Sequence, residues 1–121
     1  MTAKQKRSMN RILILGAGRS ATSLINYLLS AAEENDWHVT VADYALQLAE
    51  DKVKNSKRGS AIAFNVREEQ ERIKVISDAD VVISMLPASF HAIVAETCLE
   101  LGKHLLTASY VSDDMRALNE Q

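Results

Sequence analysis

Arg11-Ile12-Leu13-Ile14-Leu15-Gly16-Ala17-Gly18-Arg19-Ser20-Ala21 is the stretch that decides the fold. Four apolar residues, Ile12 to Leu15, run straight into a Gly-Ala-Gly turn, and a helical pattern follows at once. Strand, glycine turn and helix in that order are what a dinucleotide-binding loop requires. Gly16 lets the chain turn tightly off the strand. Gly18 carries no side chain, so the backbone there can come close to a pyrophosphate. Ala21 stands where a third glycine often sits and is small enough for the helix to pack near the strand. The amino end of the helix offers free N–H groups and a partial positive charge to phosphates.

The next apolar run, Val39 to Ala42, ends in Asp43. A carboxylate at the end of the second strand binds ribose hydroxyls in such folds, usually ~20 residues beyond the glycines, and Asp43 lies a little farther on. A polar strand end is the alternative role for it.

Working outward, the chain has 121 residues, which suits one compact domain. Its apolar fraction of 47% and charged fraction of 25% are ordinary for a soluble globular protein. A net charge of −2 gives no sign of a nucleic-acid or anionic-membrane partner. No apolar run approaches the ~20 residues that span a bilayer. Residues 1–10 are polar and basic and read as a flexible leader without the apolar stretch of a signal peptide, so the expected address is the cytoplasm. Cys98 is the only cysteine, which excludes an internal disulfide and a cysteine-based zinc site. No metal site is expected.

Periodicity places five strands, at about 11–15, 38–42, 60–64, 80–85 and 104–108, with helices at about 19–32, 45–55, 67–77 and 89–101 between them. Glu33 to Asp36 reads as a polar turn. Leu46, Ala49 and Val53 form the inner face of the second helix, and Asn55 to Gly59 supplies its basic, glycine-containing stop. Ile73 and Ile76 are the expected buried contacts of the charged third helix. Ile93, Val94, Thr97, Cys98 and Leu101 mark the inner face of the fourth, which Gly102 stops. A further helix begins after Ser112 and meets no stop signal before Gln121, so the expectation is a domain cut from a longer protein. The fold class is α/β: a Rossmann-type, doubly wound parallel sheet in the order 3-2-1-4-5 with helices on both faces. The ligand crevice then lies at the carboxyl ends of strands one and four.

Two later segments resemble one family. Asp80-Val-Val-Ile-Ser-Met-Leu-Pro-Ala-Ser-Phe-His91 and Gly102-Lys-His-Leu-Leu-Thr-Ala-Ser-Tyr-Val-Ser112 are similar to the segments around strands four and five of the saccharopine dehydrogenases, most of all their reductase branch. With the glycine loop, the likeness covers nearly all of the chain after residue 10. It implies a nicotinamide cofactor, hydride transfer at the carbon–nitrogen bond of saccharopine in lysine metabolism, and a substrate domain that this chain does not contain. It also implies roles. Gly16, Ala17, Gly18, Arg19 and Ser20 would surround the pyrophosphate, though Arg19 could equally face solvent. Asp43 and Tyr44 would meet the adenosine ribose, and Asn65 and Val66 would lie by the adenine. Leu86 and Pro87 would flank the route to the nicotinamide, and Ser109 and Tyr110 would face the reacting centre. Tyr110 is the one residue named for catalysis, as proton donor or substrate hydrogen-bonder. The family commonly has tyrosine and threonine where Ala88 and Ser89 stand, and aspartate in place of Asn65.

Other residues have plainer readings. His91 reads as a polar residue in the first turn of helix four, near the cofactor. His38 and His104 read as structural, and Cys98 as a packed thiol. NAD is expected rather than NADP, because a carboxylate at Asp43 repels a 2′-phosphate. The expected partners are the dinucleotide and, in the longer enzyme, a saccharopine-like substrate; a homodimer is compatible with both. Two other functions fit the sequence. One is a non-enzymatic nucleotide-sensing module, against which Leu86-Pro87 and Ser109-Tyr110 argue. The other is a carboxynorspermidine- or homospermidine-forming relative.

Overall fold

In the computed structural model, which describes residues 10–107, five parallel strands alternate with four helices. Ser109, Tyr110, residues 1–9 and the helix expected after Ser112 lie outside the described residues. The strands are β1 (Asn10–Leu15), β2 (Trp37–Asp43), β3 (Gly59–Ala63), β4 (Val81–Ser84) and β5 (His104–Thr107). The helices are α1 (Thr22–Asn35), α2 (Leu46–Val53), α3 (Glu69–Ser77) and α4 (His91–Leu101). The sheet order is β3-β2-β1-β4-β5, the order expected from right-handed crossovers.

β1 lies at the centre of the sheet, so both of its faces are buried. Ile12 and Ile14 join Val39, Val41 and Ile83 beneath Ile25, Leu28 and Ala32 of α1 and Ala49 and Val53 of α2. Leu13 and Leu15 face the other way, into a second core with Val82, Phe64, Ile76 of α3, and Val94 and Cys98 of α4. The residue alternation of one strand thus serves two cores, which is why its apolar run is unbroken.

The element ends differ from the sequence reading for local reasons. Asn10, assigned to the leader, opens β1, and its N–H donates to Asp36 O at 3.0 Å. The helix expected at 19–32 begins as a single 3-10 turn, Arg19–Ala21, and runs on to Asn35. Glu33 to Asn35 are therefore helical, and Asp36 closes α1 in the left-handed conformation, φ 58°. In α2, Ala49 and Val53 are buried, but Leu46 in the opening turn is exposed. The stop of α2 is Lys54 and Asn55, both at positive φ, and not Gly59. Gly59 starts β3, where a Cβ would lie 2.8 Å from Leu29 and 2.9 Å from Val53. β4 is shorter than expected and ends at Ser84, ahead of Pro87. Gly102 caps α4 at φ 70° as expected. Ile76 is buried, while Ile73 is only partly so.

Candidate dinucleotide site

The crevice forms where the winding reverses, between the carboxyl ends of β1 and β4. Gly16 turns the chain off β1 at φ 102°, a value L side chains rarely adopt, and its N–H donates to Ala42 O at 2.7 Å. A Cβ there would also lie 3.1 Å from the carbonyl carbon and oxygen of Met85. Packing and conformation both demand glycine. Ala17 is fully buried, and its N–H donates to Asp43 Oδ2 at 2.7 Å. Asp43 Oδ1 accepts from Ala45 N–H at 2.8 Å. The carboxylate thus clamps the glycine loop to the end of β2.

Gly18 is different. Its φ of −73° and ψ of −176° suit any residue, and a Cβ there would meet nothing within 4 Å. Nothing in the protein's own packing calls for a glycine, so its small size leaves room for a group outside the chain. This is the cradle a pyrophosphate needs, and the glycine loop fits that group. The N–H groups of Gly18, Arg19 and Ser20 open the turn, where helical bonding supplies no acceptor. Ala21 is fully buried against β1, and its N–H donates to Gly18 O at 3.0 Å. Arg19 and Ser20 are exposed on the loop.

The opposite wall is the connection from β4 to α4. Met85 N–H donates to Leu15 O at 2.8 Å, which holds this wall against β1. Leu86 packs its side chain into the core under α3 and α4, and Pro87 is exposed. A 3-10 turn, Ala88–Phe90, leads into α4. His91 Nε2 lies 3.0 Å from Leu86 O; since a carbonyl only accepts, Nε2 carries the proton. The sequence reading placed His91 near the cofactor but gave no sign of this bond across five residues. Ser84, at the end of β4, has a fully buried hydroxyl with no hydrogen-bond partner.

At the far end of β2 and β3, Tyr44 is 81% exposed. Asn65 follows β3. Its N–H donates to Glu71 Oε1 at 2.9 Å, and its Oδ1 accepts from Arg67 N–H at 3.1 Å, so its amide group is partly used in the turn. Val66 turns inward to the core, and its carbonyl accepts from Arg72 Nη1 at 2.8 Å. What Val66 offers a ligand is therefore the shape of the turn and not its side chain. Beside these residues opens a cavity of about 980 Å³ lined by Tyr44, Phe64 and Asn65 at one end and by Arg11 and His38 at the other. His38 Nε2 lies 2.8 Å from Ser60 Oγ, and burial, with Arg11 and Arg58 nearby, pushes its pKa below the usual imidazole value. That is a structural role, as expected. Among the described residues no group of three His, Cys, Asp or Glu could hold a metal ion, and no helix is long and apolar enough to cross a membrane.

Residues 12–121 match the family model described as the saccharopine dehydrogenase NADP binding domain. The chain belongs to this family. It is 38% identical to the alpha-aminoadipic semialdehyde synthase of Arabidopsis thaliana over 98% of its own length and 13% of that protein. It is 37% identical to the NADP(+), L-glutamate-forming saccharopine dehydrogenase of Schizosaccharomyces pombe, over 93% of this chain and 24% of that one. The apo saccharopine dehydrogenase (L-Glu forming) of Saccharomyces cerevisiae superposes with a TM-score of 0.74 at 33% identity, covering 90% of this chain and 24% of that chain. This saccharopine dehydrogenase-type domain thus spans about a quarter or less of those relatives. The family match favours the oxidoreductase reading over the sensing module and the polyamine-forming relative.

Proposed function

We propose that this domain holds the nicotinamide dinucleotide of a cytoplasmic oxidoreductase that makes or breaks the carbon–nitrogen bond of saccharopine in lysine metabolism. The observation that carries the reading is Gly18: a glycine no packing requires, at the mouth of a loop clamped by Asp43 and walled by Met85. Bound there, the dinucleotide supplies hydride transfer. The chain's own residues bind and orient it. The N–H groups of Gly18, Arg19 and Ser20 meet the pyrophosphate. Asp43 and Tyr44 stand at the adenosine ribose, and Asn65 with the Val66 turn beside the adenine. Leu86 and Pro87 form the wall leading to the nicotinamide. The family resemblance assigns Ser109 and Tyr110 to the reacting centre, with Tyr110 as the candidate proton donor.

The preferred cofactor is NAD. Asp43 sits at the end of β2 with each carboxylate oxygen already accepting one N–H and able to accept one ribose hydroxyl besides. NADP replaces the 2′-hydroxyl with a phosphate. Unit like charges ~4 Å apart repel by about 1 kcal/mol in water and about 4 kcal/mol near a protein surface. Each ~1.4 kcal/mol is a factor of ten, so NAD should be favoured by about tenfold or more. Exposed Arg19 is the cation that could offset this repulsion, and it is the observation that favours NADP, the cofactor in the family's description. Calorimetric titration with NADH and NADPH separates the two, with Asp43→Ser as the comparison. The expected result is tighter NADH binding that narrows or reverses in Asp43→Ser. Tighter NADPH binding by the unsubstituted chain would overturn the preference.

A further inference from the structure

We propose that His91 is a positioning residue for the nicotinamide half of the cofactor, acting through the Leu86 carbonyl; this rests on the dinucleotide reading above. Leu86 is held on two sides and faces the glycine turn on a third. Its half-buried side chain packs against the core under α3 and α4. Its nitrogen would lie 3.3 Å from a Cβ at Gly16, so the peptide forms the wall that faces the glycine turn. Its carbonyl accepts from His91 Nε2–H at 3.0 Å. The bond from His91 is the polar restraint on that carbonyl.

That bond matters because β4 ends at Ser84, so Leu86 O has no strand partner. Without His91 the oxygen would be an unpaired acceptor beside the crevice, and the wall on that side would lose its polar restraint. The histidine is itself held. It is the first residue of α4, and the preceding Phe90 donates its N–H to Pro87 O at 2.9 Å while its ring lies 4.9 Å beneath the Arg67 guanidinium. The wall on the nicotinamide side is thus set before the cofactor arrives, and Arg67 ties it to the turn that follows Asn65.

The test compares two ligands. NADH spans both walls, whereas ADP carries only the adenosine and pyrophosphate. His91→Ala should weaken NADH binding by about three- to tenfold while ADP affinity stays within about twofold. His91→Gln, whose amide can still donate to a carbonyl, should recover most of the loss. Thermal unfolding of both variants checks the fold. Unchanged NADH affinity in His91→Ala would overturn the proposal. So would equal weakening of NADH and ADP, or a glutamine variant of unaltered melting that binds no better than the alanine one. Failure of the unsubstituted chain to bind either ligand would overturn the dinucleotide reading itself, and the role of His91 with it.

Discussion

Gly16 and Gly18 stand two residues apart and are glycine for different reasons, one internal to the fold and one external. The motif alone suggests both, because spacing reports the turn and the close approach together. Asp43 shows where spacing stops being informative. Its place at the end of β2 is legible, but its bond to Ala17 joins residues 26 apart in sequence, and no local pattern reports it. The same holds for the hold of His91 on Leu86 O. Cys98 was readable, because it shares a helix face with Val94. It is 1% exposed, and burial raises its thiol pKa. Both effects suppress the reactive thiolate. Labelling of native protein at pH 8 should be slower than in urea by about tenfold or more, since it must await local opening. Equal rates in the two states would contradict the burial.

At the scale of elements, hydrophobic periodicity located every strand and helix among the described residues, and it failed at their ends. α1 runs three residues farther because charged Glu33 and Glu34 face solvent in its last turn, where polarity is no obstacle to helix. Leu46 is 40% exposed because it opens α2 at the rim of the sheet. α3 is the least apolar helix, and periodicity says little about what holds it. The structure answers with Arg72. Its Nε donates to Thr97 Oγ1 of α4 at 3.0 Å and its Nη1 to Val66 O at 2.8 Å, so one side chain joins α3, α4 and the turn after β3. Arg72→Ala leaves the Val66 carbonyl without its donor and should lower stability by about 2 kcal/mol, seen as a lower urea midpoint. Thr97→Val, at nearly constant volume, removes both the bond that Thr97 Oγ1 accepts from Arg72 and the one it donates to Ile93 O, and should cost about 1–2 kcal/mol. An unchanged midpoint in Arg72→Ala would show that these bonds do not hold α3 in place.

For the whole molecule, the sheet order follows from five parallel strands and right-handed crossovers, and the order places the crevice without further information. The sequence could not show the cavity beneath α3, because that depends on how the helix sits over Thr40 and Ile62 rather than on which residues it carries. Two cores on either side of β1 make the glycine loop a rigid edge of the sheet, so a ligand there meets a preformed surface. The most direct measurement is a paired one on Gly18→Val and Gly16→Val, read by thermal unfolding and by NADH titration. Gly18 has ordinary dihedrals and empty space around its Cβ, so Gly18→Val should melt within about 2 °C of the unsubstituted chain while losing about tenfold or more in NADH affinity. Gly16→Val should lose stability first, by about 1 kcal/mol or more, because it forces a branched side chain to φ 102° against Met85. A Gly18→Val protein that melts normally and binds NADH as tightly as before would contradict the account.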